Sequence, residues 1–538
     1  MTKTGFSLLC DASQTHATAY SDEQRKALNL EGLLPPMPVT LEMQAQAALE
    51  TLRACDTLFQ KALFLQSIHA SNETLFFHLL VHHVSEVLPI AYTPAVAEIC
   101  LNYSHCWLFP KGMFLCWEDR GRIDQILANA PQEQVDMIVM TDGNRILGLG
   151  DLGINGMAIP AGKLGLYTAF AGVHPSRTLP ITIDVGTDNE KYLADPLYLG
   201  HRHHRIKGED YFNFMEEVID AIKKRWPAAV IQFEDFGNAN AFALLDRFRH
   251  RYCCFSDDIQ GTGSIVVAGL ISAARAKGTK LSDERVLFFG AGEAGTGSAD
   301  QLAIAMNVLD GTSLEQARSQ MFLFDIDGLV TTHRTTSAPG HAPYAKDMEP
   351  DKDLVSCIRK IRPTTLVGLS TAGGAFTEEV LRVMGEINER PVIFPLSNPN
   401  SKSECTPHAA YRATNGRALV ATGSPFPVAN INGKTIVPRQ GNNAYIYPAV
   451  GLAGLLGRLP SIEDEDLLIA SRTVADMVTE EDLACGALYP PFERVREVCR
   501  NIAANIIVNA KAKGRCTIDL PQDVKGWVEI QMYEPVYD

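Results

Sequence analysis

The chain of 538 residues lacks the charge and the long apolar runs of several protein classes. Its 48 lysines and arginines are outnumbered by 63 aspartates and glutamates, so the formal net charge is −15. Because nucleic-acid binding depends on Lys and Arg contacts with phosphate, this balance argues against a nucleic-acid partner. No apolar run reaches the roughly 18 residues of a membrane span, so we expect no membrane partner either.

The sequence also has little that directs a protein out of the cytoplasm. Its first thirty residues lack a basic region before a long apolar core and are not rich in arginine, so neither a secretory signal nor a transit peptide is predicted. The twelve cysteines include no C-x-x-C pair, and several lie in apolar runs. They are typical of buried, reduced thiols rather than of a disulfide framework or a zinc site. We therefore expect a cytoplasmic protein.

One basic island interrupts this acidic chain, His201-Arg202-His203-His204-Arg205. It is too short to reverse the net charge. A solvated loop is favoured over a histidine metal site, because nothing in the sequence fixes the ligand spacing that a metal requires.

Short apolar segments closed by glycine or an acid follow Met113. They are residues 137–143, 145–153, 179–186 and 229–235. Four to six apolar residues in a row are typical of strands buried on both faces of a parallel sheet.

Acidic pairs end two successive predicted strands. Glu234 and Asp235 close the first, a helix is predicted over residues 238–249, and Asp257 and Asp258 close the second. Ligands bind outside the carboxyl ends of parallel strands, and strands joined by one helix lie close together. Helix capping would explain one or two of these acids. Four carboxylates exceed what capping needs, so they predict a site for Mg²⁺ or Mn²⁺.

Two further residues have the chemistry of acids or bases. Lys163 lies in a predicted apolar helix, where it either extends to solvent or is held in a pocket that lowers its pKa toward that of a working base. Tyr92 precedes Thr93-Pro94 on a predicted turn, with Thr93 as helix N-cap. A tyrosine there could equally serve packing alone.

A glycine-rich turn predicts a dinucleotide site. Gly290-x-Gly292-x-x-Gly295 follows an apolar strand and opens a long helix, and Asp325 ends the next strand. Glycines allow the backbone to approach the pyrophosphate at the helix N-terminus, and the acid binds ribose hydroxyls. The gap to Asp325 exceeds the usual spacing of about 20 residues, and the insertion at 307–320 accounts for it.

The end of that second strand favours NAD⁺ over NADP⁺. Asp325 and Asp327 would repel a 2′-phosphate, by a discrimination on the order of a hundredfold. NADP⁺ stays possible, because Arg334 or Lys346 in the following loop could fold back and neutralise the phosphate.

These patterns predict an α/β fold with several domains, as expected for a chain of this length. We expect a helical N-terminal domain over 1–110 and an α/β domain with the acidic strand ends over 111–257 plus 443–510. A doubly wound, Rossmann-like nucleotide domain is expected over 258–442, where five parallel strands alternate with helices, and a C-terminal tail over 511–538.

Several segments together resemble the malic enzymes, in family order and over most of the chain. They are AYTPAV, TDGNRILGLGDLGINGMAIPAGKLGLYTA, IDVGTDN, IQFEDFGNANAF, FSDDIQGT, FGAGEAGTG, RPVIFPLSNP, ATGSPF and QGNNAYIYP. The resemblance implies oxidative decarboxylation of malate to pyruvate and CO₂ with NAD(P)⁺ and Mg²⁺ or Mn²⁺. It also implies a homodimer or homotetramer.

The resemblance assigns roles to individual residues of this chain. The metal ligands would be Glu234, Asp235 and Asp258; the general base Lys163, with Asp257 beside it; and the general acid Tyr92. Substrate contacts would be Arg145, Asn398 and Asn442, and coenzyme contacts would be Asn238, Gly290, Ala291, Gly292, Glu293, Gly295, Asp325 and Asn398.

Two positions depart from the family pattern. Arg439 replaces the glycine of PGQGNN, which puts a bulky cation beside Asn442. The arginine that binds an activating fumarate in some members is matched by Ser71, which argues against that regulation.

Two other functions are compatible with parts of this pattern. A malolactic enzyme keeps NAD bound and releases lactate, and it would use the same metal, base and glycine turn. A nucleotide-sensing module without catalysis is disfavoured by the intact Tyr92, Lys163 and acidic residues.

Overall fold

Helical apolar spacing accounts for most of the first part of the chain. The computed structural model describes residues 3–107, 109–335, 338, 340–431 and 433–537. The chain divides into a first unit, Met1–Ala229 with Glu529–Asp538, and a second unit, Val230–Val528. The predicted division into four domains places its boundaries elsewhere and stays a prediction.

The first unit contains eleven α-helices among its described residues. They are α1 Phe6–Leu9, α2 Asp22–Ala27, α3 Leu41–Ala54, α4 Leu58–Ser71, α5 Glu73–His82, α6 Val84–Ala91, α7 Ala95–Leu101, α8 Ile123–Leu127, α9 Ala158–Ala171, α10 Glu190–Ala194 and α11 Glu209–Arg225. The turn predicted at Tyr92 separates α6 from α7, but Pro94 and not Thr93 holds the N-cap position.

Three parallel strands accompany these helices. They are β1 Met113–Cys116, β2 Met137–Thr141 and β3 Thr178–Asp184, with β3 paired to both others. All five residues of β2 are buried, as the continuous apolar run predicts. Helix α9 packs against β2 and β3 and ends at Gly172, whose φ of 64° is a left-handed conformation that favours glycine.

The strand predicted over 145–153 is wrong. The segment forms turns, with one isolated bridge between Ile146 and Gly150. Leu147, Gly150 and Gly153 have positive φ values of 49°, 83° and 52°, which an extended strand excludes. The segment is therefore a loop that follows β2.

The second unit begins with two parallel strands, β4 Val230–Phe233 and β5 Cys254–Ser256. A six-stranded sheet follows, in the order β11-β10-β9-β6-β7-β8. Its strands are β6 Val286–Phe289, β7 Met321–Asp325, β8 Gly328–Leu329, β9 Thr365–Gly368, β10 Val392–Pro395 and β11 Leu419–Val420. Five strands are parallel and only β8 is antiparallel, which confirms the α/β class and the doubly wound nucleotide-binding fold.

Helices flank these strands, and a short antiparallel hairpin adds β12 Ala429–Ile431 and β13 Lys434–Ile436. The helices are α12 Asn238–Phe248, α13 Thr262–Lys277, α14 Glu293–Asp310, α15 Leu314–Ser319, α16 Leu354–Ile361, α17 Glu378–Ile387, α18 Pro407–Ala413, α19 Tyr447–Leu456, α20 Asp464–Asp476, α21 Glu480–Ala484, α22 Val495–Ala512 and α23 Val524–Gln531. Side chains of the sheet, such as Leu287, Leu366 and Ile393, pack with α16, α17 and α18 in one buried core.

One stretch of the described residues, 84–101, has the length and the apolar composition of a membrane span, with a mean hydropathy of 1.3 over 18 residues. Half of it is buried within the protein, and the non-helical turn at Tyr92 divides it into α6 and α7. These are properties of core helices.

Candidate active site

Three carboxylates converge at the ends of β4 and β5, as the sequence predicts. Glu234, Asp235 and Asp258 place ligand oxygens within 4.8 Å of one another. Glu234 and Asp235 are only 4% and 6% exposed. Asp235 has a φ of 54°, and its backbone N–H donates to Oδ2 of Asp258 at 2.7 Å, which holds the two strand ends together.

This donor set fits a hard divalent cation. Like charges at such separations repel by about 4 kcal/mol per pair at an effective dielectric constant of about 20, and burial adds a desolvation cost. All ligand atoms are carboxylate oxygens, which suit Mg²⁺ and Mn²⁺ and not a soft metal.

Asp257, which directly follows β5, is held by contacts other than those of the carboxylate trio. Asp257 is 1% exposed, and its Oδ2 accepts a hydrogen bond from Nδ2 of Asn443 at 3.2 Å. A Cβ at Gly261 would lie 1.9 Å from Oδ1 of Asp257, so only glycine allows this approach. Neighbouring Asn442 caps a short helical turn through the N–H of Ala444 at 2.9 Å.

The two predicted acid–base residues meet in the first unit. Lys163 lies on α9 and is 5% exposed, so it is held in the interior and does not extend to solvent. Its Nζ lies 5.7 Å from the centroid of the Tyr92 ring. A Cβ at Gly162 would lie 2.8 Å from Cδ2 of Tyr92, so this glycine lets the turn pack closely on α9.

Arg145 lies on the loop after β2, and a buried ion pair fixes that loop. Arg205, the last residue of the basic island, is 8% exposed. Its Nε and Nη2 donate to the two carboxylate oxygens of Asp151 at 2.7 and 2.8 Å. Nη2 also donates to the carbonyl of Asp142. Burial alone would lower the pKa of Arg205, but the attraction of Asp142 and Asp151 outweighs it and raises that pKa.

The glycine turn has the geometry that pyrophosphate binding requires. Gly290 follows β6 with a φ of 119°, and Gly292 is the N-cap of α14. A Cβ at Gly295 would lie 1.8 Å from the carbonyl oxygen of Gly290, so a side chain there would force helix and turn apart. Ala291 and Glu293 are buried on either side of Gly292. A Cβ on Gly292 would lie 3.7 Å from the side-chain amide of Asn238, a further predicted coenzyme contact.

Asp325 at the end of β7 is paired with the loop arginine. Nη2 of Arg334 lies 3.0 Å from Oδ2 of Asp325 and 3.6 Å from Oδ2 of Asp327. Lys352 lies 3.6 Å from Asp327. Lys346 instead donates to the carbonyl of Arg318 at 2.8 Å.

A buried glutamate that no sequence pattern indicated holds the loop before Asn398. Glu404 is 0% exposed and accepts hydrogen bonds from Oγ of Ser397 at 2.5 Å and from the N–H of Ser370 at 3.1 Å. Burial raises the pKa of this carboxyl, against the effect of these hydrogen bonds. Glu404 thereby joins the loops after β9 and β10. Together with Arg205 and Asn443, it is a positioning residue that sequence spacing did not reveal.

Arg439, which replaces a glycine of the family pattern, does not direct its positive charge toward Asn442. Nη1 of Arg439 forms an ion pair with Asp482 at 2.8 Å and donates to the carbonyl of Tyr489 at 2.7 Å. Asp482 thus compensates the arginine charge.

Two family models match the chain. The model "Malic enzyme, N-terminal domain" matches residues 69–249, and "Malic enzyme, NAD binding domain" matches residues 259–511.

Curated proteins resemble the chain over its length. It is 44% identical over 536 residues to "NADP-dependent malic enzyme 4, chloroplastic" of Arabidopsis thaliana, covering 99% of this chain and 83% of that protein. It is 43% identical over 537 residues to the "NADP-dependent malic enzyme" of Mus musculus, covering 99% and 94%. Among solved structures, the malic enzyme of Entamoeba histolytica has a TM-score of 0.60 at 22% identity, covering 95% and 92%. That last likeness concerns the fold.

We predict that Arg205→Met destabilises the protein by about 3 kcal/mol, because it leaves buried Asp142 and half-buried Asp151 without their cation. Exposed Arg202 provides the matched control, and Arg202→Met should stay within about 0.5 kcal/mol of the unmodified chain. Urea unfolding measures both. Equal midpoints for the two variants would contradict a structural role for the Arg205 pair.

Proposed function

Because the chain belongs to the malic enzyme family, we propose that it oxidises and decarboxylates malate to pyruvate and CO₂ while it reduces NAD(P)⁺. The observation that carries the proposal is the trio of buried Glu234, buried Asp235 and half-buried Asp258, whose oxygens lie within 4.8 Å of one another. The glycine turn at the N-terminus of α14 and the Tyr92–Lys163 pair provide the other groups that this reaction needs.

We propose that the carboxylate trio holds one Mg²⁺ or Mn²⁺. The ion, when bound, supplies Lewis-acid polarisation of substrate oxygens. Asp235 and Asp258 are already fixed to each other by a backbone hydrogen bond, so their orientation does not depend on substrate. The turn from Gly290 to Gly295, with Asn238, Asp325 and Asn398, would hold the coenzyme, which supplies the hydride acceptor.

Proton transfers in this proposal belong to Lys163 and Tyr92. Lys163, in its neutral form, would accept the proton of the malate C2 hydroxyl as the hydride leaves C2. Asp257, beside it in the family pattern, would orient that amine. Tyr92 would then donate a proton to C3 after CO₂ is lost, and the close Lys163 Nζ can return a proton to it.

Substrate binding is assigned to Arg145, Asn398 and Asn442. A guanidinium binds a malate carboxylate through two parallel hydrogen bonds, a geometry that lysine does not reproduce. The ion pair between Arg205 and Asp151 keeps the loop of Arg145 in place, so substrate affinity depends on a residue that does not touch substrate.

The proposed reaction predicts that malate, Mn²⁺ and coenzyme give pyruvate and reduced coenzyme in equal amounts. Excess EDTA and Asp258→Ala should each abolish turnover, because the carboxylate trio then holds no ion. Asp246→Ala, an exposed acid on α12, is the matched control. Lactate without free NADH would identify a malolactic enzyme instead, and full turnover in EDTA would refute the metal assignment.

Separate partial reactions test the acid and base. Lys163→Ala should lower malate oxidation by about 10²- to 10⁴-fold, the usual contribution of a general base. Tyr92→Phe should retain reduction of added oxaloacetate while pyruvate formation from it slows. Tyr20→Phe is the control, since that hydroxyl bonds to the backbone of Gln14. A wild-type rate of pyruvate formation in Tyr92→Phe would assign the acid role elsewhere.

We propose that NAD⁺ is preferred over NADP⁺, although the similar proteins named above are NADP-dependent. Arg334 does fold back to the end of β7, but Asp325 and Asp327 both pair with it. The two acids are balanced by Arg334 and Lys352, so this strand end has no net positive charge for a 2′-phosphate.

The expected result is a higher kcat/KM for NAD⁺ than for NADP⁺ at saturating malate and Mn²⁺. Asp327→Ala should move the ratio toward NADP⁺ by on the order of tenfold, about 1.4 kcal/mol, because Arg334 and Lys352 lose a partner. Asp347→Ala removes an exposed acid that pairs with His333 and should leave the ratio unchanged. Equal or better use of NADP⁺ by the unmodified chain would refute the preference.

We further propose a homodimer or homotetramer in a reducing compartment such as the cytoplasm. The family resemblance supports the assembly, and twelve free thiols support the compartment. Sedimentation of the full chain measures the assembly, and a monomer would refute it.

A further inference from the structure

Two histidines of the basic island converge on one carboxylate in the first unit. The island lies in a loop, as predicted, but Glu118 follows β1 and faces that loop. Nε2 of His203 lies 3.0 Å from Oε1 of Glu118, and Nε2 of His201 lies 3.3 Å from Oε2. Ligand atoms around one tetrahedral zinc, each at about 2.0 to 2.2 Å from it, are separated by similar distances.

The hydrogen bonding of His203 directs Nε2 of its ring toward the carboxylate of Glu118. Nδ1 lies 2.8 Å from the carbonyl oxygen of His204. A carbonyl only accepts, so Nδ1 carries the hydrogen, and in neutral imidazole Nε2 then presents a lone pair. That lone pair faces a carboxylate oxygen at 3.0 Å, which is repulsive unless a proton or a metal ion lies between them. A backbone carbonyl on Nδ1 is also the usual arrangement around a metal-binding histidine.

The loop that carries these histidines is anchored by its backbone. The N–H of His201 donates to Oδ2 of Asp184 at 2.8 Å, and the N–H of Thr187 donates to the carbonyl of His203 at 3.0 Å. A Cβ at Gly186 would lie 2.6 Å from Nδ1 of His203, so the glycine permits the ring to sit where it does. The imidazoles are therefore positioned by the fold.

The surrounding charge favours a cation. The carboxylates of Glu118 and Asp184 both lie close to the ring of His201, since each belongs with it to a group of possible ligand atoms that lie within 4.8 Å of one another. Cys116 and Asp184 also form a second trio of possible ligands with His201.

We propose that Glu118, His201 and His203 bind one Zn²⁺, at a site whose residues are all different from those of the carboxylate trio. Two imidazole nitrogens and one carboxylate are a donor set that zinc prefers over Mg²⁺. The ion joins the end of β1 to the loop that continues into Arg205, and so it stabilises the loop that holds Arg145.

Zinc titration of the EDTA-treated full chain tests the site, with Glu118→Gln, His203→Gln and His204→Gln measured beside it. His204 is the matched control, because it pairs with Asp188 and not with Glu118. The unmodified chain and His204→Gln should bind one more Zn²⁺ per chain than the other two variants. Zinc at the carboxylate trio is common to all four proteins and cancels from this difference.

Thermal unfolding gives a second readout. Zn²⁺ should raise the Tm of the unmodified chain and of His204→Gln by more than it raises the Tm of Glu118→Gln, because a ligand that binds only the folded state stabilises it. The Glu118 side chain is 42% exposed, so its exchange for glutamine leaves the apo fold intact. Equal zinc stoichiometry and equal Tm shifts in Glu118→Gln and the unmodified chain would overturn the proposal.

Discussion

The convergence of three like charges at two strand ends, two of them buried and the third half-buried, is the constraint on which the candidate active site depends. Each of Glu234, Asp235 and Asp258 loses hydration on folding, and the three repel one another. This cost arises because β4 and β5 are parallel strands with one helix between them, so their carboxyl ends lie at the same edge of the sheet. The proposed divalent cation would offset the repulsion and the desolvation cost, and the parallel α/β architecture provides the edge at which its ligands meet.

In each unit, a buried polar group fixes a loop that carries a proposed substrate residue. Arg205 holds the loop of Arg145 through a bidentate ion pair, and Glu404 joins the loops after β9 and β10. Neither group tolerates the loss of its partner, since an unpaired buried charge costs several kcal/mol. The positions of the loops that carry Arg145 and Asn398 therefore depend on residues outside the proposed substrate contacts.

Charge compensation at the end of β7 is the basis of the proposed coenzyme preference. An arginine at the end of β7 would by itself favour a 2′-phosphate. Here Arg334 is shared between Asp325 and Asp327, so its charge is already used within the protein. The position of an arginine alone is thus less informative about coenzyme preference than the acidic residues with which that arginine pairs.

The sequence by itself determined the α/β class, the acidic strand ends, the glycine turn and the apolar helix of Lys163, because each depends on local pattern and on the strand–helix order. The strand predicted over 145–153 was wrong, because Leu147 and two glycines of this segment have positive φ values that an extended strand excludes. Only the tertiary structure decided the pairs between distant residues: Arg205 with Asp151, 54 positions apart, and His203 with Glu118, 85 positions apart. The physical reason is that a side chain's partner across a loop is set by how strands and loops pack, and no local periodicity records it.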